Sequence, residues 1–317
     1  MCSLSTSTPS RPSCRWRRSS CRNLMTKRRE QATTESRGAL TIMFDSIAGD
    51  VADLVRAAGD RFVLPRYGVL ADEDIATKTS PTDLVTVADR EAEAWLTPRL
   101  RGIVDAVVIG EEACGEDPAL REHAVAPLAW TIDPVDGTNN FVKAKDRFCS
   151  MVALLENGVP VRSWIWLPLQ RRLYYAAAGE GAMMRLDDGG DHRLSLGARD
   201  WRIDMLNGAA SVRDVEEPEK TRLRGILREM PGRWFPGSIG VLAGGIAEGS
   251  QHFLMHASCT PWDHAPVDLL CREAGAHAAM IDGGGRYNAG NRSGIMIAPD
   301  AAAWHMLHRH LWEDGRL

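Results

Sequence analysis

The sequence predicts a layered fold of mixed helices and strands, of the α/β or α+β class. With 317 residues, of which 44% are hydrophobic, the chain can bury one large core or two moderate ones. Two β-rich runs flank Asn157-Gly158, the strongest short hairpin signal in the chain. The second half then alternates helix-like and strand-like segments, a pattern typical of layered folds.

Residues 1–42 differ in composition from the rest of the chain. They are rich in Ser, Thr and Arg, and carry nine Lys and Arg against two Asp and Glu. Without aliphatic periodicity, such a segment is predicted to be a disordered basic extension. It resembles an organelle transit peptide superficially, but we favour an overextended start, with the true beginning at Met43.

The remainder of the chain is acidic. Removing those nine and two residues from the totals of 38 and 42 leaves 29 basic and 40 acidic side chains. An acidic body argues against nucleic-acid binding, and an anionic substrate would need local metal cations. The four cysteines beyond residue 42 lack zinc spacing, and no apolar run approaches the length of a membrane span. We therefore expect a soluble cytoplasmic protein with reduced thiols.

Apolar spacing predicts the elements of the first half. A helix is expected from Phe44 to about Ala58 and a second from Asp89 to about Leu100, with a Pro-punctuated loop between them. Two short apolar runs, 104–110 and 128–132, are predicted to be buried strands. Each run ends at a carboxylate, so both strands are expected to deliver acidic groups at their ends.

The later elements follow in the same way. The hairpin is expected within 150–168, and a further strand pair within 174–184. Helices and strands then alternate: helices near 214–229, 238–248, 264–274 and 301–312, and strands near 252–256, 276–281 and 293–298.

The stretch WTIDPVDGTNNF, residues 130–141, is the most informative motif. Asp133 and Asp136 lie three apart around Pro134, which should stop the strand and turn both carboxylates and the Val135 carbonyl toward one point. Hard divalent cations prefer such oxygen ligands, and a helix beginning at Gly137 could hold phosphate with its free N–H groups. The alternative is ordinary turn chemistry, in which the Asp side chains cap their own backbone.

Three more acidic motifs accompany this stretch: GEE at 110–112, DLVTVAD at 83–89 and PWDHA at 261–265. Each has a structural alternative, because Glu111 could be a solvated strand end and Asp89 and Asp263 could be helix N-caps. The histidines of the second half fit no zinc pattern, so surface or core packing is the better interpretation.

In order and spacing, from about residue 43 to 317, these motifs resemble the inositol monophosphatase family of the lithium-sensitive phosphatase superfamily. The resemblance implies an α+β fold, a layered αβαβα sandwich of the inositol monophosphatase and fructose-1,6-bisphosphatase type. It also implies two lobes. An N-terminal lobe, 43–197, would carry most metal ligands, and a C-terminal lobe, 198–317, would supply Asp263 and substrate contacts.

The resemblance implies a magnesium centre of two or three ions. Glu111, Asp133 and the Val135 carbonyl would bind one Mg²⁺, and Asp133, Asp136 and Asp263 would bind a second. Independently of the resemblance, carboxylates converging in one cleft would repel each other and raise their pKa values unless cations were present. Bound Mg²⁺ would neutralise the phosphate, activate a water and stabilise the leaving alkoxide.

Further roles follow from the same resemblance. Glu111 and Thr138 would orient a metal-bound water, with Asp89 supporting the water network, and Lys78 lies in the same family loop. The N–H groups of Gly137 and Thr138 would hold phosphate oxygens. Asp136 and Asp263 would contact the substrate as well as metal. His256 would contact the substrate only, and it stands where inositol-specific relatives carry a Glu, seven residues before the WD aspartate.

The predicted function is Mg²⁺-dependent hydrolysis of a small phosphate monoester, such as an inositol-phosphate-like, polyol or amino-alcohol phosphate. Alternatives within the family are a 3′(2′)-phosphoadenosine nucleotide phosphatase and a histidinol-phosphatase. A haloacid-dehalogenase phosphatase is a rival enzyme class, but its loop aspartates lie two apart, whereas Asp133 and Asp136 lie three apart. A catalytically silent binding or regulatory protein is the alternative outside enzymology, and a homodimer is expected because relatives are commonly dimers.

Overall fold

The structure is a computed structural model, and it describes residues 47–77, 84–187, 189–230 and 236–313. By its internal contacts the chain divides into two units, residues 1–48 and 49–317. The account below concerns the second unit. The predicted extension 1–42 and Lys78 lie outside the described residues.

The larger sheet within the described residues has seven strands. These are β3 (Val107–Gly110), β4 (Leu128–Asp136), β5 (Cys149–Glu156), β6 (Val159–Leu167), β7 (Arg172–Ala177), β8 (Gly181–Leu186) and β9 (Asp191–Leu194). They follow each other in chain order across the sheet, and β3 pairs with β4 in parallel while every later pair is antiparallel. A separate ribbon pairs β1 (Ile75–Thr77) with β2 (Leu84–Thr86).

The hairpin predicted from Asn157-Gly158 is confirmed between β5 and β6. Both residues have positive φ, 51° and 80°, the left-handed conformation that a two-residue hairpin turn requires. The next predicted strand pair is also confirmed, as β7 and β8.

A smaller sheet lies in the second half of the chain. Its strands are β10 (Gly208–Ser211), β11 (Phe253–Ser258), β12 (His277–Met280) and β13 (Ser293–Ala298). The spatial order is β10-β11-β13-β12, so β10 is an edge strand, paired in parallel with β11.

The helices complete a layered sandwich. They are α1 (47–58), α2 (Val87–Ile103), α3 (Glu111–Glu116), α4 (Thr138–Val142), α5 (Glu219–Glu229), α6 (Ile239–Ala247), α7 (Pro261–Glu273) and α8 (Ala301–Trp312). Helices α6 and α7 contact both sheets and share one apolar core with them. Helix α2 packs on β4 of the larger sheet, and α5 and α8 pack with the smaller sheet in a second core. The predicted αβαβα sandwich is confirmed.

Several sequence-based boundaries are wrong, each for a physical reason. Strand β4 does not stop before Pro134 but continues to Asp136, because the missing N–H of proline falls where the ladder with β5 is already irregular. Helix α7 begins at Pro261, not 264, since proline fits the first helical turn. The Gly-Ala-Ala-Ser strand β10 escaped prediction because it has no β-branched residue, and its strand conformation comes from pairing with β11.

No helix among the described residues combines the length and apolar character needed to cross a membrane. The division of the chain at residue 197 into two lobes stays a prediction.

Candidate metal and phosphate site

The parallel pairing of β3 with β4 places the first two carboxylates side by side. Gly110 is the register partner of Ile132, so the next residues, Glu111 and Asp133, follow at the same edge of the sheet. Carboxyl ends of parallel strands meet at one edge, which is where ligands bind in open sheets. Both strands therefore deliver their acidic groups to a common point.

A bulge in β4 turns Asp136 toward the same point. Asp133 pairs with Met151 and Asp136 with Cys149, so three steps on β4 match two steps on β5. The Ser150 hydroxyl donates to the Pro134 carbonyl at 2.7 Å and fixes the bulge. One extra residue in the strand brings two carboxylates that lie three apart to one side of the sheet.

Asp136 is held by the first turn of α6. Its Oδ2 accepts hydrogen bonds from the Ser238 hydroxyl at 2.5 Å and the Gly240 N–H at 2.7 Å. Ser238 is also the N-cap of α6 and accepts from Val241 N–H. The free N–H groups and positive dipole end of a helix favour a carboxylate at this place.

Asp263 comes from the first turn of α7. Thr260 is the N-cap residue, and its hydroxyl donates to Asp263 Oδ2 at 2.5 Å. Asp263 is thus not the N-cap that its sequence position allowed. Its side chain contacts the hydroxyl of the capping residue and lines the cavity beside the bulge.

Three carboxylates converge closely in this cavity. One oxygen from each of Asp133, Asp136 and Asp263 lies within 4.8 Å of the others. Burial, and then the charges of Glu111, Asp136 and Asp263, raise the pKa of Asp133 well above its usual range. Burial and then Asp263 raise the pKa of Asp136 to about 7, although Ser238 and Gly240 oppose the shift. Such a cluster is electrostatically unfavourable unless it holds protons or cations.

Gly137 and Thr138 form the start of α4, as the motif predicted. Gly137 has φ 92°, and a Cβ there would crowd the carbonyl of Arg147, so the position requires glycine. The Thr138 hydroxyl donates to the Val135 carbonyl at 3.0 Å. The N–H groups of the first helical turn have no preceding helical carbonyl to bond.

One cavity of about 190 Å³ brings most predicted site residues together: its lining includes Glu111, Asp133, Val135, Asp136, Gly137, Thr138 and Asp263. A neighbouring cavity of about 390 Å³ shares Asp136 and Asp263 with it, and His256 lines that second cavity. Asp89 lines neither.

Asp89 is instead buried at the start of α2. It forms a capping box with Thr86, whose N–H and hydroxyl both donate to Asp89 Oδ2. Asp89 therefore occupies the third helical position, and Thr86 is the cap. The other oxygen, Oδ1, is buried without a partner among the described residues. Burial raises the pKa of Asp89 to about 7, and the charges of Glu111 and Glu112 add to the rise.

His256 contacts a second histidine. His264 Nε2 lies 3.2 Å from His256 Nδ1, and His264 Nδ1 lies 3.0 Å from the Thr260 nitrogen and 3.1 Å from the Thr260 carbonyl oxygen. Burial lowers the pKa of His256 to about 3 and that of His264 to about 4. Both rings are neutral near pH 7, so this wall of the cavity presents neutral imidazoles.

Sequence reasoning missed residues that position the site. Glu93 accepts from the N–H groups of Glu112 and Ala113, at 2.8 and 2.9 Å, and so fixes the helix that begins at Glu111. The spacing of Glu93 from Asp89, one helical turn, was an available signal. Ser238 could be recognised only as an N-cap, and Arg213, which lines both cavities, carries no local signal.

The layered αβαβα sandwich and its carboxylate-lined cavity fit a phosphoric monoester hydrolase, the class to which the named relatives belong. The comparisons with known proteins agree with this class. The model of the inositol monophosphatase family matches residues 50–315, and the chain belongs to that family. This assignment rejects the haloacid-dehalogenase alternative.

The relatives to which the chain is similar are named for different phosphatase activities. The chain is 31% identical to the histidinol-phosphatase of Mycobacterium tuberculosis, over 71% of this chain and 84% of that protein. It is 28% identical to the inositol-1-monophosphatase of Bacillus subtilis, over 72% and 83%. An IMPase/NADP phosphatase complexed with Mg²⁺ and phosphate is similar in structure, with a TM-score of 0.69, 18% identity, and coverage of 86% of this chain and 96% of that one.

Proposed function

We propose that this chain hydrolyses a small phosphate monoester, with Mg²⁺ held by Glu111, Asp133, Asp136 and Asp263 and by the Val135 carbonyl. The observation that carries the proposal is the approach of three carboxylates within 4.8 Å of one another in a cavity that also exposes Thr138. The other proteins of the family to which the chain is similar include named phosphatases.

The chemistry of the donor set suits a hard divalent cation. Each of the three converging side chains offers carboxylate oxygen, and the neighbouring imidazoles of His256 and His264 lie outside this group. Oxygen-only sites favour Mg²⁺, Ca²⁺ or Mn²⁺ over zinc. When bound, Mg²⁺ would neutralise the phosphate, promote ionisation of the attacking water and stabilise the leaving alkoxide.

The chain's own groups would position the reactants. Because the Thr138 hydroxyl donates to the Val135 carbonyl, its oxygen is left as an acceptor for a proton of the attacking water. The Glu111 carboxylate can accept the second proton. Gly137 and Thr138 line the cavity at the start of α4, where their N–H groups would hold phosphate oxygens. Holding water and phosphate together lowers the entropic part of the barrier.

The leaving alcohol would occupy the 390 Å³ cavity beside the carboxylates. His256 lines it where inositol-specific relatives have a Glu, and its neutral ring contributes no negative charge. We therefore propose a polyol or amino-alcohol phosphate as the substrate. A cytoplasmic homodimer stays the accompanying prediction.

A substrate panel tests this function. Purified protein would be assayed with myo-inositol 1-phosphate, histidinol phosphate and adenosine 3′,5′-bisphosphate, each with Mg²⁺ and with EDTA. We expect Mg²⁺-dependent release of phosphate from at least one polyol or amino-alcohol ester, and its loss in Asp263→Asn. Hydrolysis of the nucleotide alone would refute the proposed leaving group. Absence of turnover on every ester would favour a silent binding protein, and full activity in Asp263→Asn would refute the metal site.

A further inference from the structure

A guanidinium group from the first half of the chain contacts the segment that leads into α7. Arg121 lies in the 3₁₀ helix Pro118–Val125, and its Nη2 donates to the Cys259 carbonyl, 138 positions further along the chain. Cys259 is 2% exposed and immediately precedes Thr260, the N-cap of α7. The contact therefore fixes the last peptide before the helix that carries Asp263.

The same arginine follows closely on the helix that presents Glu111. Asp117 alone separates α3 from the 3₁₀ helix, and its N–H donates to the Ala113 carbonyl of α3 at 2.8 Å. The two helices are thus joined without a flexible connection. One side chain, that of Arg121, links the segment that delivers Glu111 to the segment that delivers Asp263.

The charge of Arg121 is not used in an ion pair. Among the ion pairs between described residues, none includes this arginine. Its Nε is buried and has no hydrogen-bond partner in the part of the chain that the structure describes. Burying part of a guanidinium in this way costs free energy, whereas an apolar side chain would carry no such cost. Stability alone therefore does not explain an arginine at this place.

The 3₁₀ helix is held in place by other residues. Ala124 is fully buried, and Leu120 packs against the same apolar core. These contacts do not involve the guanidinium. Removal of the Arg121 side chain should therefore leave this helix where it is and release only the Cys259 carbonyl.

We propose that Arg121 is a positioning residue of the metal site: by holding the Cys259 carbonyl, it fixes Asp263 relative to Glu111 and so raises the affinity for Mg²⁺. Thr260 would transmit the effect, because its hydroxyl donates to Asp263 Oδ2 at 2.5 Å. The proposal rests on the proposed function, since it requires Asp263 to bind metal. Partners that directly hold a metal ligand change metal affinity by about tenfold or more. Arg121 acts one peptide further away, so its effect should be smaller.

Arg121→Ala and a matched control test the proposal. Arg222→Ala, the control, removes another half-buried guanidinium that donates to a backbone carbonyl, that of Leu311 at 2.6 Å, and Arg222 lines neither cavity of the site. Isothermal titration calorimetry with Mg²⁺ alone measures binding without substrate, and the Mg²⁺ dependence of turnover is measured beside it. We expect the Mg²⁺ dissociation constant to rise about fivefold or more in Arg121→Ala and to stay unchanged in Arg222→Ala.

Chemical rescue separates positioning from stability. Guanidinium chloride at a concentration well below the unfolding transition should restore part of the Mg²⁺ affinity of Arg121→Ala. The free cation can occupy the vacated space and donate to the Cys259 carbonyl, as the arginine does. Sodium chloride at the same concentration should restore nothing, and neither salt should alter the affinity of Arg222→Ala.

Each other result decides against a specific claim. Wild-type Mg²⁺ affinity in Arg121→Ala would overturn the positioning role alone. So would a loss of affinity that both salts change equally, or that Arg222→Ala shares together with an equal fall in melting temperature. Absence of both Mg²⁺ binding and turnover in the wild type would overturn the proposed function, and the positioning role with it.

A second variant covers the case in which Arg121→Ala does not fold. Arg121→Lys keeps the charge and most of the stem, but its nitrogen lies one atom closer to the backbone than Nη2. We expect its Mg²⁺ dissociation constant to exceed that of the wild type by at least about twofold. Equal dissociation constants for Arg121→Lys and the wild type would overturn the role of this hydrogen bond.

Discussion

At the scale of single residues, the centre of the site is Asp133. It is 1% exposed, and its Oδ1 accepts from the Val135 N–H at 3.0 Å while the carboxylate faces those of Asp136 and Asp263. Under the proposed function, Asp133 would bridge two cations. Its position also makes it the residue whose charge is most costly when no cation is bound.

Replacing Asp133 by Asn should separate catalysis from stability. We expect kcat to fall at least about a hundredfold, because a ligand charge is lost from the metal site. The melting temperature in EDTA should stay the same or rise, since one of three mutually repelling carboxylates is removed. Steady-state kinetics and thermal unfolding measure the two effects. Asp146→Asn, at an exposed position, is the control, and near-normal turnover in Asp133→Asn would contradict the assignment.

The variant Ser238→Ala tests whether a residue that holds a carboxylate of the site affects metal binding. Ser238→Ala removes the 2.5 Å hydrogen bond to Asp136, so the Mg²⁺ concentration for half-maximal activity should rise about tenfold. The lost N-cap should also cost about 1 kcal/mol of unfolding free energy.

The matched control for Ser238→Ala is Asp300→Ala. Asp300 is the N-cap of α8 and accepts from Ala303 N–H at 2.8 Å, away from the cavities described. Its loss should lower stability by a similar amount and leave the Mg²⁺ requirement unchanged. Equal Mg²⁺ titrations for Ser238→Ala and the wild type would show that Ser238 serves only the helix.

At the scale of elements, the starts of helices set the site's geometry together with the strands. Helix α3 presents Glu111, and its first N–H groups are fixed by the Glu93 carboxylate from α2. A Cβ on Gly110 would overlap that carboxylate. The glycine is therefore needed for contact between two helices, although its φ of −93° suits any residue.

Gly110→Ala should disturb this contact. Glu93 can avoid the new Cβ only by giving up its two hydrogen bonds, which we expect to cost about 1–3 kcal/mol of unfolding free energy. Glu111 would shift with α3, and kcat should fall about tenfold. Denaturant titration and kinetics measure both. Gly102→Ala in α2, where nothing lies within 4 Å, should be neutral or stabilising, and identical behaviour of the two variants would contradict the proposed contact.

At the scale of the whole molecule, the buried carboxylates link stability to pH and to metal. Burial raises the pKa values of Asp89, Glu93 and Asp136 to about 7, from unfolded values near 4. The folded protein without metal then binds more protons than the unfolded chain between about pH 4 and pH 7. These carboxylates do not destabilise the fold below that window, and they destabilise it progressively as pH rises through it.

Mg²⁺ should reverse this destabilisation. We expect the melting temperature in EDTA to be lower at pH 8 than at pH 5, and Mg²⁺ to raise it at pH 8 by about 5 °C or more. The gain at pH 5 should be smaller, because protons compete with the cation for the same oxygens. Differential scanning fluorimetry or calorimetry measures both values. A melting temperature at pH 8 that Mg²⁺ leaves unchanged would argue against a metal centre.

The sequence predicted elements well where the residues that determine them are neighbours along the chain. The turn at Asn157-Gly158 and the helix beginning at Thr138 depend on φ preferences and hydrogen bonds within a few residues. Strand β10 and the path of β4 through Pro134 were not predictable in this way, because pairing with a distant strand decided both.

By itself, the sequence determined which chemical groups are available: the acidic motifs, their order, and the strand ends and helix starts that present them. The tertiary structure decided which of these groups meet. Asp136 contacts Ser238 across 102 positions of sequence, and Asp89 is held in a capping box and lines neither the carboxylate cavity nor the one beside it. Arg213 lines both of these cavities, and it follows strand β10, which pairs with β11. Spacing along the chain encodes local geometry, whereas packing of two sheets around α6 and α7 sets the distances between remote groups.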